Sequence, residues 1–428
     1  MDNSNPNIDF YIKRRQFYDY YGYSDVIYST IRCFEEDATT IPFYEQVLVD
    51  EFQDFNKLEV TLIDYLATSS PILLAGDDDQ ALYEFKSATP TFIRERHGDK
   101  MPEYHAFNLP YCSRCPRVVV EATNDLIHSA KANGLLKDRI DKPFRYFNNK
   151  EKDKISAKYP RIIYKNVFAA QVPWFIEQCL QELAMDIRDK FSVLIISPFK
   201  KQCETVAMSL KEKGLNQIEY SIKTDEIEPS LMDGYRILLE DPVSNLGWRI
   251  VARSFLSGKD FVKVIKETQS NSSIKFHDCL PTDTQKSIKE ILQVLKYISK
   301  DKAVNQELLD EAFRRFNIEP SKLGYSQLKE EIDTTLLKNG NPALRNIPIK
   351  STTIQSSKGL SADVVFITHF DERYFISNTD KKQISDRDFC NFLVSLTRTK
   401  KKVFLISTTG EPAPFLNWID PDKISRLR

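Results

Sequence analysis

The sequence predicts an α/β protein with parallel sheets. Short apolar runs rich in β-branched residues alternate with segments whose apolar residues recur at helical spacing. The predicted buried strands are residues 46–49, 71–75, 161–165, 193–197, 352–354, 364–368 and 403–407, and helical spacing is clearest over 58–66, 172–183 and 202–213. Each strand is followed by a turn or a polar loop, which favours a parallel sheet with helices on its faces.

Length and composition indicate an ordinary globular protein of more than one domain. The 428 residues exceed the roughly 250 that one hydrophobic core usually holds, so we expect two or three domains. The net charge is −1, from 60 basic and 61 acidic residues. Any contact with nucleic acid must therefore come from a local basic surface.

The cysteines and the first residues favour a cytoplasmic protein. The start, MDNSNPN, is polar and leads into no apolar run, and no segment approaches the roughly 18 apolar residues of a membrane helix. Seven cysteines are scattered along the chain. Cys112 and Cys115 form a lone CxxC, whereas a zinc site needs four ligands, so reduced thiols are the favoured interpretation.

An acidic box follows the first predicted strand. Residues 47–54 read VLVDEFQD, which places Asp50 and Glu51 at the carboxyl end of a parallel strand, where ligands of such folds bind. Asp50 could hold Mg²⁺, and Glu51 could orient and deprotonate a water that attacks a γ-phosphate. Taken alone, the tripeptide VDE favours a solvated acidic turn.

The next strand leads into GDDDQALYEFKSA at residues 76–88. The two segments together resemble motifs II and III of the superfamily 1 DNA helicases typified by UvrD, Rep and PcrA, whose patterns are DExQD and GDxxQxIYxFRGA. The resemblance implies that Gln80 senses the γ-phosphate and that Tyr83 and Phe85 lie along the path of single-stranded DNA, where aromatic rings stack on bases. A core aromatic remains the alternative for Phe85.

Three further segments resemble motifs IV, V and VI of the same helicases. Residues 108–124 carry Arg114 and Asn124 at the spacing of motif IV. The resemblance implies that Arg114 is an arginine finger that reaches the γ-phosphate. Taken without the resemblance, Arg114 would be an ordinary surface arginine. Residues 353–360, TIQSSKGL, retain Lys358 and Gly359 at the nucleotide and place Gln355 on the DNA side. Arg398, in SLTRT, corresponds to a second γ-phosphate arginine whose planar fork suits a phosphate.

The resemblance implies RecA-like motor domains, an incomplete first one and a complete second one, that use ATP, Mg²⁺ and single-stranded DNA. The expected divisions are a first motor domain at 1–105, the second at 106–255 and 346–428, and a helical insertion at 256–345, where segments such as SIKEILQVLKYISK interrupt the alternation. Ser113, Gln355 and Ser361 depart from the family residues, which puts base stacking and the ribose contact in doubt.

The phosphate-gripping P-loop, GxxxxGK followed by Ser or Thr, does not occur in the sequence. Of twelve glycines only Gly22 precedes Asp50, and the lysine–glycine pair Lys358–Gly359 belongs to motif V. We therefore expect the first sheet to present an unpaired apolar edge along residues 47–49. A P-loop-bearing N-terminal segment or a separate subunit would cover that edge.

Two functions compete at this point. The first is a portion of a 3′→5′ DNA helicase that hydrolyses ATP only when the P-loop region is supplied. The second is a hydrolysis-deficient module that binds DNA or a protein partner. The retained carboxylates and arginines favour the first, and the missing P-loop and the substitutions in motifs IV and V favour the second.

Overall fold

The computed structural model describes residues 6–81, 87–98, 101, 103–186, 191–215, 217–220, 229–271, 273–300, 344, 347–377, 383–408 and 411–427. The α-helices of this part are, in chain order, α1 Pro6–Tyr18, α2 Tyr23–Glu36, α3 Lys57–Ala67, α4 Thr91–His97, α5 Arg117–Ala132, α6 Lys150–Lys158, α7 Val172–Asp186, α8 Lys200–Glu212, α9 Leu231–Glu240, α10 Asn245–Ala252, α11 Gly258–Ser270, α12 Thr282–Lys300, α13 Glu372–Phe375 and α14 Asp386–Leu396. The strands are β1 Val47–Val49, β2 Ile72–Leu74, β3 Tyr111–Cys112, β4 Arg145–Tyr146, β5 Ile162–Asn166, β6 Val193–Ser197, β7 Ile218–Tyr220, β8 Ile349–Thr353, β9 Ala362–Ile367, β10 Thr399–Ser407 and β11 Ile424–Arg426.

The chain divides into two compact units. The helical unit combines Met1–Ser29 with Thr224–Thr334, and the sheet unit combines Thr30–Lys223 with Thr335–Arg428.

A seven-stranded sheet in the order β11-β5-β10-β9-β6-β8-β7 forms the centre of the sheet unit, and all its strand pairs are parallel. Strand β6 is buried along its whole length because helices cover both faces. One face packs against α5 and α14, and the other against α7 and α8. This double burial explains why the strands read as continuous apolar runs, and it confirms the predicted α/β fold class.

Strands β1 and β2 form a separate parallel pair, in which Leu48 lies opposite Leu73. One face of the pair packs on Phe52 and on Val60 and Ile63 of α3. Leu48 and Leu73 point to the other face, where they remain 68% and 55% exposed. Within the described residues β1 pairs only with β2.

The helical unit is built from α1 and α9–α12 around a core that contains Trp248, Tyr235 and Phe276. Helices α9 and α10 approach closely because a glycine stands on each, Gly234 and Gly247. A Cβ atom on either would lie under 3 Å from side chains of the other helix. This close contact holds both helices in the helical unit, which begins at Thr224 and takes in Met1–Ser29.

The compact units thus differ from the domain limits that the sequence suggested, 256–345 for the insertion and 1–105 for the first motor domain. The family resemblance places α9 and α10 in the first part of the second motor domain, 106–255. Residues 301–343 of the expected insertion lie outside the described part. None of the described helices combines the length and the apolarity that crossing a membrane requires.

The acid stability of the sheet unit should depend on His369, which follows β9 in the left-handed conformation (φ 52°). Burial lowers the pKa of His369 to about 4. The unfolded chain, with a histidine pKa near 6.5, binds this proton first. The free energy of unfolding therefore has its full value above about pH 6.5. It falls by about 3 kcal/mol as the pH is lowered towards 4, because the unfolded chain takes up the proton that the folded chain excludes.

We therefore predict that His369→Asn, which keeps a residue tolerant of positive φ, flattens this part of the pH dependence. Urea unfolding at several values between pH 7 and pH 4 measures the effect, with the exposed His128→Asn as control. Equal pH dependence in the His369 variant and the parent protein would contradict the assignment.

Candidate active site

The acidic box lies at the carboxyl end of β1. Asp50 and Glu51 follow Val49 and are exposed, and an oxygen of Asp50 accepts the backbone N–H of Glu51 at 2.8 Å. Glu51 adopts a left-handed conformation with φ 53°. A non-glycine residue rarely takes this conformation, which redirects the chain at the end of the strand.

A buried amide, Gln53, holds Glu51 in place. Gln53 is fully buried, its Nε2 donates to Oε2 of Glu51 at 2.6 Å, and its Oε1 accepts the N–H of Asp77 at 3.0 Å. A Cβ atom at Gly76 would lie 2.6 Å from Oε1 of Gln53, so only glycine fits beside this amide. Gln53 thereby ties motif II to motif III, a role that sequence analysis missed although the Gln of DEFQD signalled it.

Gln80 is the meeting point of three motifs. Its Nε2 donates to Asp77 at 2.7 Å, and its Oε1 accepts from a terminal nitrogen of Arg398 at 3.0 Å. Its backbone carbonyl accepts from Nζ of Lys358 at 2.9 Å. Motif III therefore contacts motifs V and VI directly through one residue.

Lys358 lies against the acidic box. Its Nζ is 3.3 Å from Oε2 of Glu51 and pairs with Asp54. The lysine follows a short 3-10 helix, Gln355–Ser357, and Gly359 continues the chain with a φ of +79° that favours glycine. The structure thus places Lys358 at the carboxylates.

Two arginines converge beside Gln80. Arg398 is 2% exposed, and its Nε donates to the carbonyl of Val394 at 2.9 Å. The exposed Arg114 reaches the carbonyl of Thr397 at 3.5 Å. Burial, and then the charge of Arg114, lowers the pKa of Arg398 to about 10, so it stays protonated at neutral pH. Neighbouring guanidinium groups of like charge favour an anion between them.

The structure therefore brings together Glu51, Gln80, Lys358 and Arg398, with Arg114 beside Arg398 and Asp50 at the same strand end. Gln355 lies one short turn before Lys358. Tyr83 and Phe85, the predicted DNA stacking residues, lie outside the described part of the chain.

Sequence analysis missed a buried ion-pair network around residues 77–79. Arg139 grips Asp79 with three hydrogen bonds of 2.8 to 3.0 Å, and both side chains are almost fully buried. Asp78 accepts from Arg94 at 2.9 Å and from the N–H of Ile140 at 3.0 Å, and it also pairs with Lys142.

This network attaches the turn after β2 to residues 139–142. Burial alone would raise the pKa of Asp77, but Lys142 and the hydrogen bonds from Gln80 and from the N–H of Asp79 together outweigh burial and hold that pKa below its usual value. The oxygens of the three carboxylates lie within 4.8 Å of one another, close enough for a metal. Because Arg94, Arg139 and Lys142 already neutralise them, the group needs no metal. The run of three aspartates was the signal for it in the sequence.

Comparison with known families agrees with this geometry. Residues 4–100 match the UvrD/REP helicase N-terminal domain, and residues 116–410 match the UvrD-like helicase C-terminal domain. The chain belongs to the UvrD-like helicase family.

Individual relatives of this UvrD-like chain are distant in sequence. A probable DNA helicase II homolog of Mycoplasma genitalium is 21% identical over 88% of the chain and 57% of its own length, and one of Mycoplasma pneumoniae is 22% identical over 96% and 62%. ATP-dependent DNA helicase PcrA of Staphylococcus aureus is 30% identical over 24% of the chain and 15% of its own length. The chain thus spans about three fifths of the two Mycoplasma relatives.

The ion pair between Arg139 and Asp79 should contribute strongly to the stability of this UvrD-like protein. Arg139→Gln removes three hydrogen bonds from the buried carboxylate of Asp79 and leaves it with Lys142 at 3.2 Å. We predict a loss of about 3 kcal/mol in unfolding free energy. Urea unfolding measures the loss, and hydrogen exchange over residues 136–142 locates it.

Lys131→Gln is the matched control, because Lys131 pairs with Asp141 in a solvent-exposed contact of 3.7 Å. This substitution should cost less than about 1 kcal/mol. Similar losses in the two variants would show that the buried ion pair contributes no more to the unfolding free energy than an exposed one.

Proposed function

We propose that the chain is part of an ATP-dependent 3′→5′ DNA helicase, a single-stranded DNA translocase, that couples hydrolysis to movement only when the P-loop region is supplied. The observation that carries this proposal is the convergence of Glu51, Gln80, Lys358 and Arg398, which come from four separate motifs. Four motif residues that meet at one point in the fold, in a member of a helicase family, support a site for nucleotide chemistry.

The exposed side chains fit a nucleotide with its magnesium ion. Asp50 and Glu51 offer adjacent carboxylate oxygens, the hard ligands that Mg²⁺ takes, at the open end of β1. A bound Mg²⁺ would neutralise charge on the phosphates. Glu51 would orient the attacking water and accept its proton, and Gln53 fixes the carboxylate for that task.

Cations of the second motor domain would complete the site. Arg114 and Arg398 would turn their planar donor forks to the γ-phosphate and would stabilise the charge that develops during transfer. Lys358 and Gly359 would approach the nucleotide from motif V. Gln80 contacts Arg398 and Lys358 together, so a change at the γ-phosphate would reach both through one side chain and its carbonyl.

The DNA path would run beside this site. Gln355 opens the short 3-10 helix that leads into Lys358, so a DNA contact at Gln355 lies three residues from the cation that touches Glu51. Tyr83 and Phe85 directly follow the segment that holds Gln80 in the sequence. This proximity along the chain supports coupling between strand binding and nucleotide chemistry.

The exposed face of the β1–β2 pair would receive the P-loop-bearing polypeptide. Leu48 and Leu73 lie side by side on it, and Phe43 and Tyr44, just before β1, are also exposed. Parallel strands are normally covered on both faces. The sequence contains no P-loop, and the chain spans only 57% and 62% of two relatives. We therefore infer that an apolar segment carrying the P-loop, N-terminal or on a separate subunit, packs here.

A hydrolysis-deficient module that binds DNA or a partner is the alternative. The residues Ser113, Gln355 and Ser361 depart from the family pattern and favour it. The contacts of Glu51 with Gln53 and of Gln80 with Arg398 favour the helicase, because a binding module has no use for them.

We predict that the chain alone shows no DNA-stimulated ATPase, since backbone N–H groups of a P-loop are needed to hold the phosphates. Adding the P-loop-bearing polypeptide encoded next to it, or in frame upstream, should produce ATPase. Glu51→Gln should then lower the rate about 100-fold or more, as expected for loss of a general base. The exposed Glu45→Gln is the matched control.

Robust hydrolysis by the chain alone, abolished by Glu51→Gln, would overturn the requirement for a P-loop partner. Tight single-strand binding that nucleotide does not change, with no ATPase after complementation, would instead support the passive module. Both outcomes are read from the same two assays.

Leu48→Glu should weaken binding of the P-loop-bearing polypeptide without unfolding the chain, because Leu48 is already exposed. Loss of one apolar anchor corresponds to about 2 kcal/mol, or an increase in Kd of about 30-fold. Calorimetry or analytical ultracentrifugation measures the change. Leu109→Glu, at another exposed leucine of the sheet unit, should leave the Kd unchanged. Equal effects of the two variants would argue against docking at β1–β2.

A further inference from the structure

Two cysteines flank the arginine finger in a compact turn. Cys112 ends β3, and Cys115 precedes Pro116, the N-cap residue of α5. The backbone N–H of Cys115 donates to the Sγ of Cys112 at 3.4 Å, so the sulfur of Cys112 lies against the main chain of Cys115. Cys112 is partly exposed and Cys115 is buried, whereas Ser113 and Arg114 between them are exposed.

The buried thiol shares a hydrogen-bond acceptor with Arg114. The Sγ of Cys115 donates to the carbonyl of Thr397 at 3.4 Å, and a terminal nitrogen of Arg114 reaches the same oxygen at 3.5 Å. Thr397 directly precedes Arg398. The cysteine pair therefore touches the segment that carries one γ-phosphate arginine and encloses the other.

The surroundings divide the two thiols into a nucleophile and a resolving partner. The neighbouring Cys115 thiol, opposed by burial and helped by backbone N–H groups and Lys152, lowers the pKa of Cys112 to about 6. The Nζ of Lys152 lies 3.2 Å from the carbonyl of Cys112. The proximity of Cys112, together with burial, raises the pKa of Cys115. A partly exposed thiolate beside a protonated thiol is the arrangement that redox-active CxxC pairs use.

We propose that Cys112 and Cys115 form a reversible disulfide that releases Arg114 from Thr397 and so makes the arginine finger sensitive to oxidants. The disulfide itself stands on the geometry of the turn. Only its effect on hydrolysis rests on the proposed function, through the role of Arg114.

Hydrogen peroxide is the oxidant class that the chemistry suits. The Cys112 thiolate attacks one peroxide oxygen, the O–O bond breaks, and the leaving hydroxide takes a proton to become water. The sulfur of Cys115 then attacks the sulfenic acid of Cys112. An S–S bond forms, the S–O bond breaks, and the hydroxyl leaves as water with the proton from Cys115. Two thiols lose two electrons to one peroxide, and a dithiol reductant reverses the change.

The disulfide would change the local contacts in a defined way. It removes the S–H donor that Cys115 offers to Thr397, and it closes a ring that contains Ser113 and Arg114. Arg114 lies inside that ring, so ring closure is the change that would break its 3.5 Å contact with Thr397. A zinc site is disfavoured, since the described residues add no further ligand cluster here and zinc needs four ligands.

Mass spectrometry of the purified chain tests the disulfide. Equimolar peroxide should lower the intact mass by about 2 Da, map to a Cys112–Cys115 peptide and reverse with dithiothreitol. Cys112→Ser and Cys115→Ser should each abolish the loss, and Cys33→Ser, at an exposed isolated cysteine, should not. Stepwise addition of oxygen to Cys112 without linkage to Cys115 would overturn the proposal.

Alkylation at pH 6 gives a second measurement. A thiol with a pKa of about 6 is half ionised there, against about 0.3% for an ordinary thiol, although a weaker base is about 13-fold less nucleophilic. The net expectation is that Cys112 reacts with iodoacetamide about tenfold faster than Cys33. Equal rates would argue against an activated thiolate.

Arginine modification tests the coupling without any ATPase. Phenylglyoxal should modify Arg114 about fivefold faster in the oxidised chain, the factor that corresponds to one net hydrogen bond. Cys115→Ser keeps a hydroxyl donor for Thr397 and should retain the slow rate after peroxide treatment. Disulfide formation with an unchanged rate at Arg114 would overturn the coupling. A failure of the proposed ATPase would leave these measurements unaffected, so the two proposals fail separately.

Discussion

The turn after β2 depends on a buried network of ion pairs. Asp78 and Asp79 are held by Arg94, Lys142 and above all Arg139, whose guanidinium engages both oxygens of Asp79. Such pairs repay their desolvation only when the geometry is good, so the network selects one arrangement of the turn. Gln80 lies at the end of that turn and bonds back to Asp77. Its position against the motif V lysine and the motif VI arginine is therefore a consequence of the ion pairs made by the two preceding residues, Asp78 and Asp79.

The other end of the site is set by backbone strain. Glu51 holds a left-handed conformation that a side chain normally avoids, and it persists because its neighbours are fixed on both sides. The N–H of Phe52 donates to the carbonyl of Ala75 at 2.9 Å, and Gln53 bonds to both Glu51 and Asp77. Motifs II and III are thus joined through main chain and a buried amide, which positions the carboxylate before any ligand arrives.

The sequence predicted the fold class and named the residues that converge, because strands and motifs are both recognised from short stretches of neighbouring residues. Apolar runs such as 193–197 appear as buried strands over the same residues, and Glu51, Gln80 and Arg398 were identified from their motifs. Contacts between residues far apart in the chain could not be predicted in this way. Arg139 is 60 residues from Asp79, and nothing near it marks its partner. The membership of α9 and α10 in the helical unit also depends on a packing contact, through Gly234 and Gly247, and not on periodicity.

The two carboxylate oxygens of Glu51 have different surroundings. The amide of Gln53 and the ammonium of Lys358 both engage Oε2, at 2.6 and 3.3 Å. A water that gives up a proton to this residue would therefore use Oε1, while Oε2 remains the anchored oxygen. Because Lys358 also bonds to the carbonyl of Gln80, any movement of Gln80 would shift the cation against the anchored oxygen. On the proposed function, phosphate sensing by Gln80 and proton transfer to Glu51 are then linked through Lys358, and the loop that carries Lys358 begins at Gln355, the proposed DNA contact.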